Sequence, residues 1–171
     1  MNKAGQKKAA EGIPKIRLFA TDFDGVWTDN RVIFSDDGSE SVLCDRSDSL
    51  GLKMLKEQRP DIAVIVISKE TSAVVKARCE KLKIPYRTGI DDKITLFKEI
   101  VKEAGLGYEE VAYMGNDVND LDCILYAGIG IAVADSDPAV IAAADYVTKR
   151  NGGRGAIREI IDIILSGSRT T

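Results

Sequence analysis

The segment Ile62–Ile67 restricts the fold more than any other part of this sequence. Its six residues are all apolar and mostly β-branched, with no helical period. A run of this length and composition is typical of a strand buried on both faces, as in parallel sheets that are covered by helices. Shorter, largely apolar runs at 16–20, 111–114, 129–133 and 146–147 predict further strands of the same sheet.

Segments in which apolar residues recur with helical spacing alternate with these runs. They are predicted at 48–58, 71–82, 91–105, 121–127, 138–144 and 156–165. Strands that alternate with helices indicate an α/β fold with a doubly wound, Rossmann-like parallel sheet. Only residues 32–44 break the alternation: two apolar stretches flank Asp-Asp-Gly there, which predicts an inserted β-hairpin with its turn near Asp37 and Gly38.

Length and composition limit the possible classes of protein. The 171 residues suit one domain, predicted at 14–166, between a flexible arm over 1–13 and a loose tail over 167–171. A net charge of −3 argues against a nucleic-acid partner, and no apolar run approaches the length of a membrane span. The absence of histidine excludes Ser-His-Asp and Cys-His catalysis and any His-ligated zinc site.

The cysteines indicate a reducing compartment. Cys44, Cys79 and Cys123 are odd in number, widely spaced and without a Cys-x-x-Cys pair. Such residues are typical of reduced, partly buried thiols, and we expect a cytoplasmic protein. The first twelve residues also lack the apolar core of a signal peptide.

Two aspartates, Asp22 and Asp24, directly follow the predicted strand at 16–20, and a glycine comes next. Open α/β sheets bind ligands at the carboxyl ends of their strands. Two carboxylates held together there repel each other unless a cation or a shared proton offsets their charge, and oxygen ligands suit Mg²⁺. Asp and Gly are also ordinary turn residues. The pair by itself therefore predicts either a phosphate site with a metal or a simple turn.

Further candidates lie at other strand ends and in the loops. Ser68 could donate its hydroxyl to a phosphoryl oxygen, or could simply cap a helix. Lys93 could be a fixed positive charge beside the carboxylates, or a solvated lysine at a helix start. The four Asx residues within 116–120 are more than one helix cap requires, and their acidity suits a metal loop.

These residue types can support phosphoryl transfer, which requires a nucleophile, an acid/base, a metal and donors around the phosphoryl oxygens. Asp22 can attack phosphorus and form an aspartyl-phosphate. Asp24 lies on the same side of the strand, because side chains alternate with a period of two. It can protonate the leaving oxygen and later activate water.

Taken in order, these segments resemble the phosphatases of the haloacid dehalogenase superfamily. Residues Asp22–Asp29 match the first motif of that family, Ser68 the second, Lys93 the third and Gly115–Asp120 the fourth. The order and spacing agree with the family from about residue 16 to residue 165.

Within the superfamily the chain is similar to a small branch without a cap domain. This branch contains 3-deoxy-D-manno-octulosonate 8-phosphate (KDO 8-phosphate) phosphatases, nonulosonate (sialic-acid-type) 9-phosphate phosphatases and the phosphatase-like domain of acylneuraminate cytidylyltransferases. The segment Asn151–Glu159 resembles its glycine-rich tail. Independently, the stretch between Asp29 and Ser68 has room for the hairpin, one helix and one strand, but not for a lid domain.

The resemblance implies a Mg²⁺ cofactor bound by Asp22, the backbone carbonyl of Asp24 and the fourth motif, with Asp120 behind these ligands. Family members commonly carry an aspartate as the metal ligand where this chain has Asn116. An amide oxygen can coordinate Mg²⁺ but adds no charge, so we expect weaker metal binding unless Asp117 compensates.

The resemblance also implies the substrate and the assembly. The substrate would be a phosphorylated 2-keto-3-deoxy sugar acid, contacted by Glu70 and by Arg78 and Lys81 of an adjacent subunit, and Arg154 could reach a neighbouring active site. The hairpins would join four copies in a homotetramer. For Arg78 and Lys81 a solvated helix face is the alternative.

Three functions remain open from the sequence. Asn116 is shared with the cytidylyltransferase-associated members, so the sequence favours a nonulosonate 9-phosphate as the substrate. KDO 8-phosphate is the alternative within enzymes, because one carbon changes only the depth of the cleft. The third possibility is a non-catalytic oligomerisation module associated with a cytidylyltransferase.

Overall fold

The computed structural model describes residue 9 and residues 11–167. The strands are β1 (Leu18–Thr21), β2 (Ile33–Phe34), β3 (Glu40–Ser41), β4 (Ala63–Ile67), β5 (Tyr86–Arg87), β6 (Val111–Gly115), β7 (Ile129–Ala132) and β8 (Tyr146–Val147). From residue 13 onward the α-helices are α1 (Arg46–Gln58), α2 (Ala73–Leu82), α3 (Lys93–Glu103), α4 (Leu121–Tyr126), α5 (Pro138–Ala143) and α6 (Ala156–Gly167).

Six strands form one parallel sheet in the order β5-β4-β1-β6-β7-β8. Side chains of β1 alternate between its faces: Phe19 packs with α1, α2 and α6, whereas Leu18 and Ala20 pack with α3, α4 and α5. Helices therefore cover both faces, and the predicted doubly wound α/β fold is confirmed. The edge strand β5 was not predicted, because Tyr86 and the charged Arg87 form no apolar run.

The predicted hairpin forms a separate two-stranded sheet. Ile33 pairs with Ser41 and Phe34 with Glu40 in antiparallel register. At the turn, Gly38 has a φ of 81°, a left-handed conformation that glycine adopts without strain. Between β1 and β4 the chain holds only this hairpin and α1, and between β4 and β5 only α2, so these stretches contain no cap domain.

The described part of the predicted N-terminal arm is packed, not loose. Ala9 and Ile13 are fully buried, and residues Ile13–Lys15 form a 3-10 helix that contacts α6. The prediction of a flexible arm is therefore wrong at these positions, because their apolar side chains complete the core on the α6 face. Residues 1–8 and 10 of the arm, and residues 168–171 of the tail, lie outside the described residues.

Two further expectations from composition can be compared with the structure. Cys44, Cys79 and Cys123 are free thiols, and the last two are buried. Across residues 11–167, none of the helices has the length and apolar character needed to cross a membrane.

A buried carboxylate joins helix α1 to the start of helix α6. Asp48 is fully buried, and its Oδ1 accepts a 2.8 Å hydrogen bond from the backbone N–H of Arg158. Its Oδ2 is buried without a hydrogen-bond partner. Burial raises the pKa of Asp48 to about 6. The hydrogen bond from Arg158 fixes α6 against α1 and favours the ionised carboxylate, but burial outweighs it and opposes ionisation.

We expect Asp48→Asn to make stability less sensitive to pH. With a native pKa above the unfolded value of 3.8, the native state retains a proton that the unfolded chain has lost, so the free energy of unfolding falls as pH rises towards 6. Asparagine still accepts from Arg158 and carries no charge. The variant should therefore be more stable than the parent by about 3 kcal/mol at pH 8 and no more stable at pH 4.

Urea denaturation at the two pH values measures this difference. The control is Asp162→Asn, which alters a half-exposed carboxylate paired with Arg158 at 2.8 Å and should leave the pH dependence unchanged. A parental pH dependence in Asp48→Asn would contradict the prediction.

Candidate active site

Three neighbouring strands of the sheet bring the predicted site residues together at their carboxyl ends. Asp22 follows β1, Ser68 follows β4 and Asn116 follows β6, and these strands are adjacent in the sheet. A cleft of about 180 Å³ opens at this edge. The residues that line it are Asp22, Asp24, Asn30, Ser68, Lys69, Glu70, Asn116, Asp117 and Asn119.

Lys93 lies buried between two carboxylates at the floor of the cleft. Its Nζ is 2.8 Å from Asp22 Oδ2 and 2.8 Å from Asp120 Oδ1. It is the first residue of α3, whose N-cap Asp92 accepts a hydrogen bond from Thr95 and fixes where the helix begins. The start of α3 therefore places the charged side chain of Lys93 at the carboxyl ends of β1 and β6.

Asp120 organises the loop after β6. Besides Lys93, its Oδ1 accepts a 3.0 Å bond from the Tyr113 hydroxyl, and its Oδ2 accepts from the backbone N–H groups of Asn116 at 3.0 Å and Asp117 at 3.4 Å. A fully buried carboxylate with four donors is well satisfied. Asp120 therefore holds both Lys93 and the backbone at Asn116 in place.

The three charges at the floor do not cancel. Burial, and then the charge of Asp120, raise the pKa of Asp22 to about 7, although Lys93 opposes the change. Burial alone would lower the pKa of Lys93, but the two carboxylates outweigh it and raise that pKa, so Lys93 stays charged. When both carboxylates are ionised, one negative charge is in excess near Asp22, and a bound cation would offset it.

Asp24 is placed to move a proton at the mouth of the cleft. Its side chain is half-buried, and burial raises its pKa, which the nearby carboxylate of Glu70 raises further. Gly25 follows with a φ of 78°, so the chain turns away from the strand directly after Asp24. A carboxyl with a raised pKa can carry a proton to a leaving group.

Asn116 provides the clearest evidence that the cleft can bind a cation. The residue is nearly buried, and its Oδ1 has no hydrogen-bond partner. Asp117, in contrast, is exposed, and its Oδ1 accepts a 2.7 Å bond from Val118 N and caps a 3-10 helix. Of these two candidates, Asn116 is the one with a buried side-chain oxygen that lacks a hydrogen-bond partner, in the cleft that Asp22 also lines.

The donors fit a hard divalent cation, although they are few. Within the described residues, no group of three or more His, Cys, Asp or Glu side chains is arranged to hold a metal. Asp22, the backbone carbonyl of Asp24 and Asn116 Oδ1 would supply one carboxylate and two neutral oxygens. Mg²⁺ accepts such a set because it keeps several waters and also takes substrate phosphate as a ligand.

Ser68 and Glu70 form the side of the cleft after β4. Ser68 is buried, its N–H donates 2.8 Å to Arg87 O, and its Oγ accepts a 3.1 Å bond from Glu70 N. The hydroxyl proton therefore points away from that amide and can be donated to a ligand oxygen.

The basic residues predicted for substrate binding lie outside the cleft of their own chain. Arg78 reaches α1 instead, and its guanidinium donates 2.8 Å to Ser49 Oγ. Lys81 lines a separate groove beside α1. Arg154 is exposed and approaches Asp29 at 3.5 Å. Within one chain, these three residues do not contribute to the site.

Four cleft or support residues were missed from the sequence, and one of them is Lys69, which lines the cleft beside Ser68. Asn30 and Asn119 line the cleft, and Tyr113 supports Asp120 from within β6. Asn119 lies in the Asx-rich loop and could have been included on that signal. Asn30 and Tyr113 carry no local signal, because Asn30 lies in the loop after β1 and Tyr113 within β6, and only the tertiary fold brings them to the site.

Comparison with known proteins supports this assignment. Residues 86–161 match the family model of haloacid dehalogenase-like hydrolases. Over 176 aligned positions the sequence is 34% identical to the 3-deoxy-D-manno-octulosonate 8-phosphate phosphatase of Escherichia coli K12. The alignment covers 96% of this chain and 93% of that protein.

Solved structures agree. The phosphatase of the same name from Moraxella catarrhalis, crystallised with magnesium, phosphate and KDO, is 34% identical and superposes with a TM-score of 0.88 over 94% of this chain and 91% of its own. A structure from Streptomyces avermitilis described as a HAD family hydrolase is 44% identical, with a TM-score of 0.85 over 90% and 87% of the two chains. The chain therefore belongs to the haloacid dehalogenase-like hydrolases, in the capless branch that contains the KDO 8-phosphate phosphatases.

Proposed function

We propose that this protein is a Mg²⁺-dependent phosphatase that hydrolyses KDO 8-phosphate through an aspartyl-phosphate on Asp22. The observation that carries the proposal is the cleft floor, where Asp22 and Lys93 meet beside the unpartnered Oδ1 of Asn116. The relatives named above support KDO 8-phosphate, which was the alternative from the sequence, over the nonulosonate 9-phosphate that Asn116 favoured. They also favour an enzyme over an oligomerisation module.

In the first step the Asp22 carboxylate attacks phosphorus and the ester oxygen departs. Lys93 stays paired with Asp120 and keeps a positive charge beside Asp22 throughout. Asp24 gives its carboxyl proton to the departing oxygen, so the sugar acid leaves as a neutral alcohol at that position. Ser68 donates its hydroxyl to a phosphoryl oxygen.

In the second step Asp24, now ionised, takes a proton from water, and the resulting hydroxide attacks phosphorus. The acyl-phosphate bond breaks, inorganic phosphate leaves, and both aspartates return to their starting states. Asp22, the Asp24 carbonyl and Asn116 would hold Mg²⁺, which when bound neutralises charge on the phosphoryl group and orients it for in-line attack.

Phosphate release from KDO 8-phosphate and from a nonulosonate 9-phosphate, measured with Mg²⁺ and with EDTA, tests this proposal. We expect kcat/KM to be higher for the octulosonate ester and the rate to vanish in EDTA. A preference for the nonulosonate ester would replace the substrate assignment, and undiminished rates in chelator would contradict a metal-dependent site. No hydrolysis of either ester would favour the non-catalytic module.

The metal loop allows a sharper prediction. We expect Asn116→Asp to lower the Mg²⁺ concentration needed for half-maximal activity by about tenfold, because it adds a negative charge next to a hard cation. Asp117→Asn should change that concentration little, since asparagine can also cap Val118 and Asp117 Oδ1 is engaged there. The Mg²⁺ activation constants of both variants and the parent show whether Asn116 or Asp117 binds the metal. If Asp117→Asn weakens Mg²⁺ and Asn116→Asp has no effect, the ligand assignment is reversed.

We also propose that the hairpin joins copies of this chain into a tetramer, as the resemblance implies. Ile33 and Phe34 are 56% and 71% exposed, which is unusual for two adjacent large apolar residues. The hairpin also lines a second cavity of about 290 Å³, which adjoins the cleft at Asp24 and Glu70. This cavity is called the lobe. A neighbouring copy seated on the hairpin would bury these apolar side chains and close the lobe.

Light scattering should accordingly give four times the chain mass. Phe34→Glu should produce smaller species and reduce kcat/KM about tenfold or more, because truncated central interface residues commonly cost 2 kcal/mol or more of binding. Leu125→Glu, which alters a leucine that is 67% exposed on α4, serves as the control and should leave the mass unchanged. A monomeric parent with full activity would contradict the tetramer.

A further inference from the structure

The glycine-rich segment 151–155 plays no part in the mechanism above, yet it is tied to two loops of the site. The N–H of Gly153 donates a 3.0 Å hydrogen bond to the carbonyl of Val26, in the loop that follows Asp24. The N–H of Gly152 donates 2.9 Å to Oδ1 of Asp135, in the loop that follows β7. Both glycines are buried. The segment therefore bridges these two loops.

The approach of this segment to the loop after Asp24 leaves no room for a side chain. A Cβ on Gly152 would overlap the carbonyl oxygen of Gly25. A Cβ on Gly153 would overlap the backbone between Thr28 and Asp29, and Gly153 also has a φ of 64°. The two backbones are thus in direct contact, which is possible because Gly152 and Gly153 have no Cβ.

Gly25 is in turn pressed against the fourth motif. A Cβ on Gly25 would overlap Nδ2 of Asn116. Gly152, Gly25 and the Asn116 amide are therefore stacked in contact, with Asn116 on the cleft side. The unpartnered Oδ1 of the same amide is the oxygen assigned to the cation.

The orientation of this amide matters more than that of a carboxylate would. Only one of its two terminal atoms can bind a cation, because the –NH₂ group is a donor without acceptor capacity. If the amide rotated about χ2, the nitrogen would replace the oxygen. Backbone packed against Nδ2 hinders that rotation.

We propose that Gly152 and Gly153 are positioning residues for the cation site. They fix the backbone at Gly25, and Gly25 holds the Asn116 side chain with Oδ1 available to Mg²⁺. The segment acts through Asn116 and touches neither substrate nor metal. This inference rests on the proposed function, because it requires a cation beside Asp22.

The test compares the Mg²⁺ affinity of glycine variants in two ways. One is the Mg²⁺ dependence of the thermal unfolding midpoint without substrate, and the other is the Mg²⁺ activation constant for hydrolysis of p-nitrophenyl phosphate. For Gly152→Ala and Gly153→Ala we expect Mg²⁺ to bind about tenfold more weakly, as is typical when the support of a metal ligand is removed. The KM for the ester at saturating Mg²⁺ should change less than this.

Gly105→Ala is the matched control for Gly153→Ala. Gly105 has a similar φ of 67°, but a Cβ there would meet no atom within 4 Å. It therefore imposes the same backbone strain without touching the loop after Asp24. Its Mg²⁺ constants should equal those of the parent although its unfolding midpoint falls.

A milder pair of variants keeps the test decisive if the alanines prevent folding. Asp135→Ala removes the acceptor of Gly152 N and should weaken Mg²⁺ binding about threefold. This effect is smaller than that of Gly152→Ala, in which the new Cβ overlaps the backbone of Gly25. Asp137→Ala, in the same loop, removes a 2.7 Å bond to Ala139 N that caps α5, and it should leave Mg²⁺ binding unchanged.

The outcomes separate this inference from the proposed function. A parent that responds to Mg²⁺, together with parental constants in Gly152→Ala or, if that variant does not fold, in Asp135→Ala, would overturn the positioning role alone. Equal weakening in Gly105→Ala or Asp137→Ala would also overturn it, because the effect would then reflect general destabilisation. A parent without any Mg²⁺ response would overturn both.

Discussion

Asp22→Asn is expected to lower turnover by a factor on the order of 10⁴ or more, the scale seen when a catalytic nucleophile is removed. The amide cannot attack phosphorus to give the acyl-phosphate, and the other carboxylate on Lys93, that of Asp120, is fully buried and held by Tyr113 and two backbone N–H groups. The fold should persist, because asparagine is nearly isosteric and removes the excess negative charge at the cleft floor. Steady-state kcat and the unfolding midpoint of the purified variant provide the measurement.

Asp122→Asn is the matched control, since Asp122 is an exposed aspartate on α4 outside the cleft. Its kcat should equal that of the parent. A second readout follows the intermediate: acid-quenched parent should retain label from a radiolabelled phosphate ester, and Asp22→Asn should retain none. A labelled variant, or one that keeps more than a few per cent of the parental kcat, would show that another group attacks phosphorus.

Lys93→Met should cost both stability and activity. It leaves Asp22 and Asp120 buried side by side without the cation that lies 2.8 Å from each. Removing one member of a buried ionic group commonly costs about 3–5 kcal/mol, because the remaining charges stay desolvated and unpaired. We therefore expect the free energy of unfolding to fall by about that amount in the absence of metal, with no detectable phosphatase activity.

A second substitution separates these effects. Lys93→Met combined with Asp120→Asn removes one of the unpaired charges and should recover part of the lost stability, but none of the activity. Lys102→Met, at an exposed position of the same helix, should change the free energy of unfolding by no more than about 1 kcal/mol. If Lys93→Met is as stable as the parent at neutral pH, the two carboxylates do not depend on Lys93.

Much of the fold and the position of the site could be predicted from the sequence, because both depend on short-range patterns. The buried run at 62–67 and its shorter neighbours identify parallel strands. A doubly wound sheet then places whatever follows each strand at one edge. Asp22, Ser68 and Asn116 each follow a strand by one position, so their convergence follows from topology alone.

The predictions failed where contacts between distant segments decide the outcome. No local sequence pattern distinguishes the arm residues Ala9 and Ile13 from a flexible segment. They are buried because they join the hydrophobic core that also contains the apolar side chains of α6. The sequence around Arg78 is typical of an exposed helical residue, but in the structure its guanidinium donates a hydrogen bond to Ser49 on α1. The buried Asp48 resembles a first-turn acidic residue, and its partner at Arg158 is 110 positions away.

The sequence by itself determined the fold class, the catalytic residue types and their placement at one edge of a sheet. Both the hydrophobic period and the position of a residue after a strand depend only on residues that are close together in the sequence. Only the tertiary structure decided which oxygen remains free for a cation. That choice depends on Asp117 capping its own helix while Gly152, Gly25 and Asn116 stack across segments far apart in the chain. Hydrogen bonding and close packing act through space, and no sequence pattern encodes those distances.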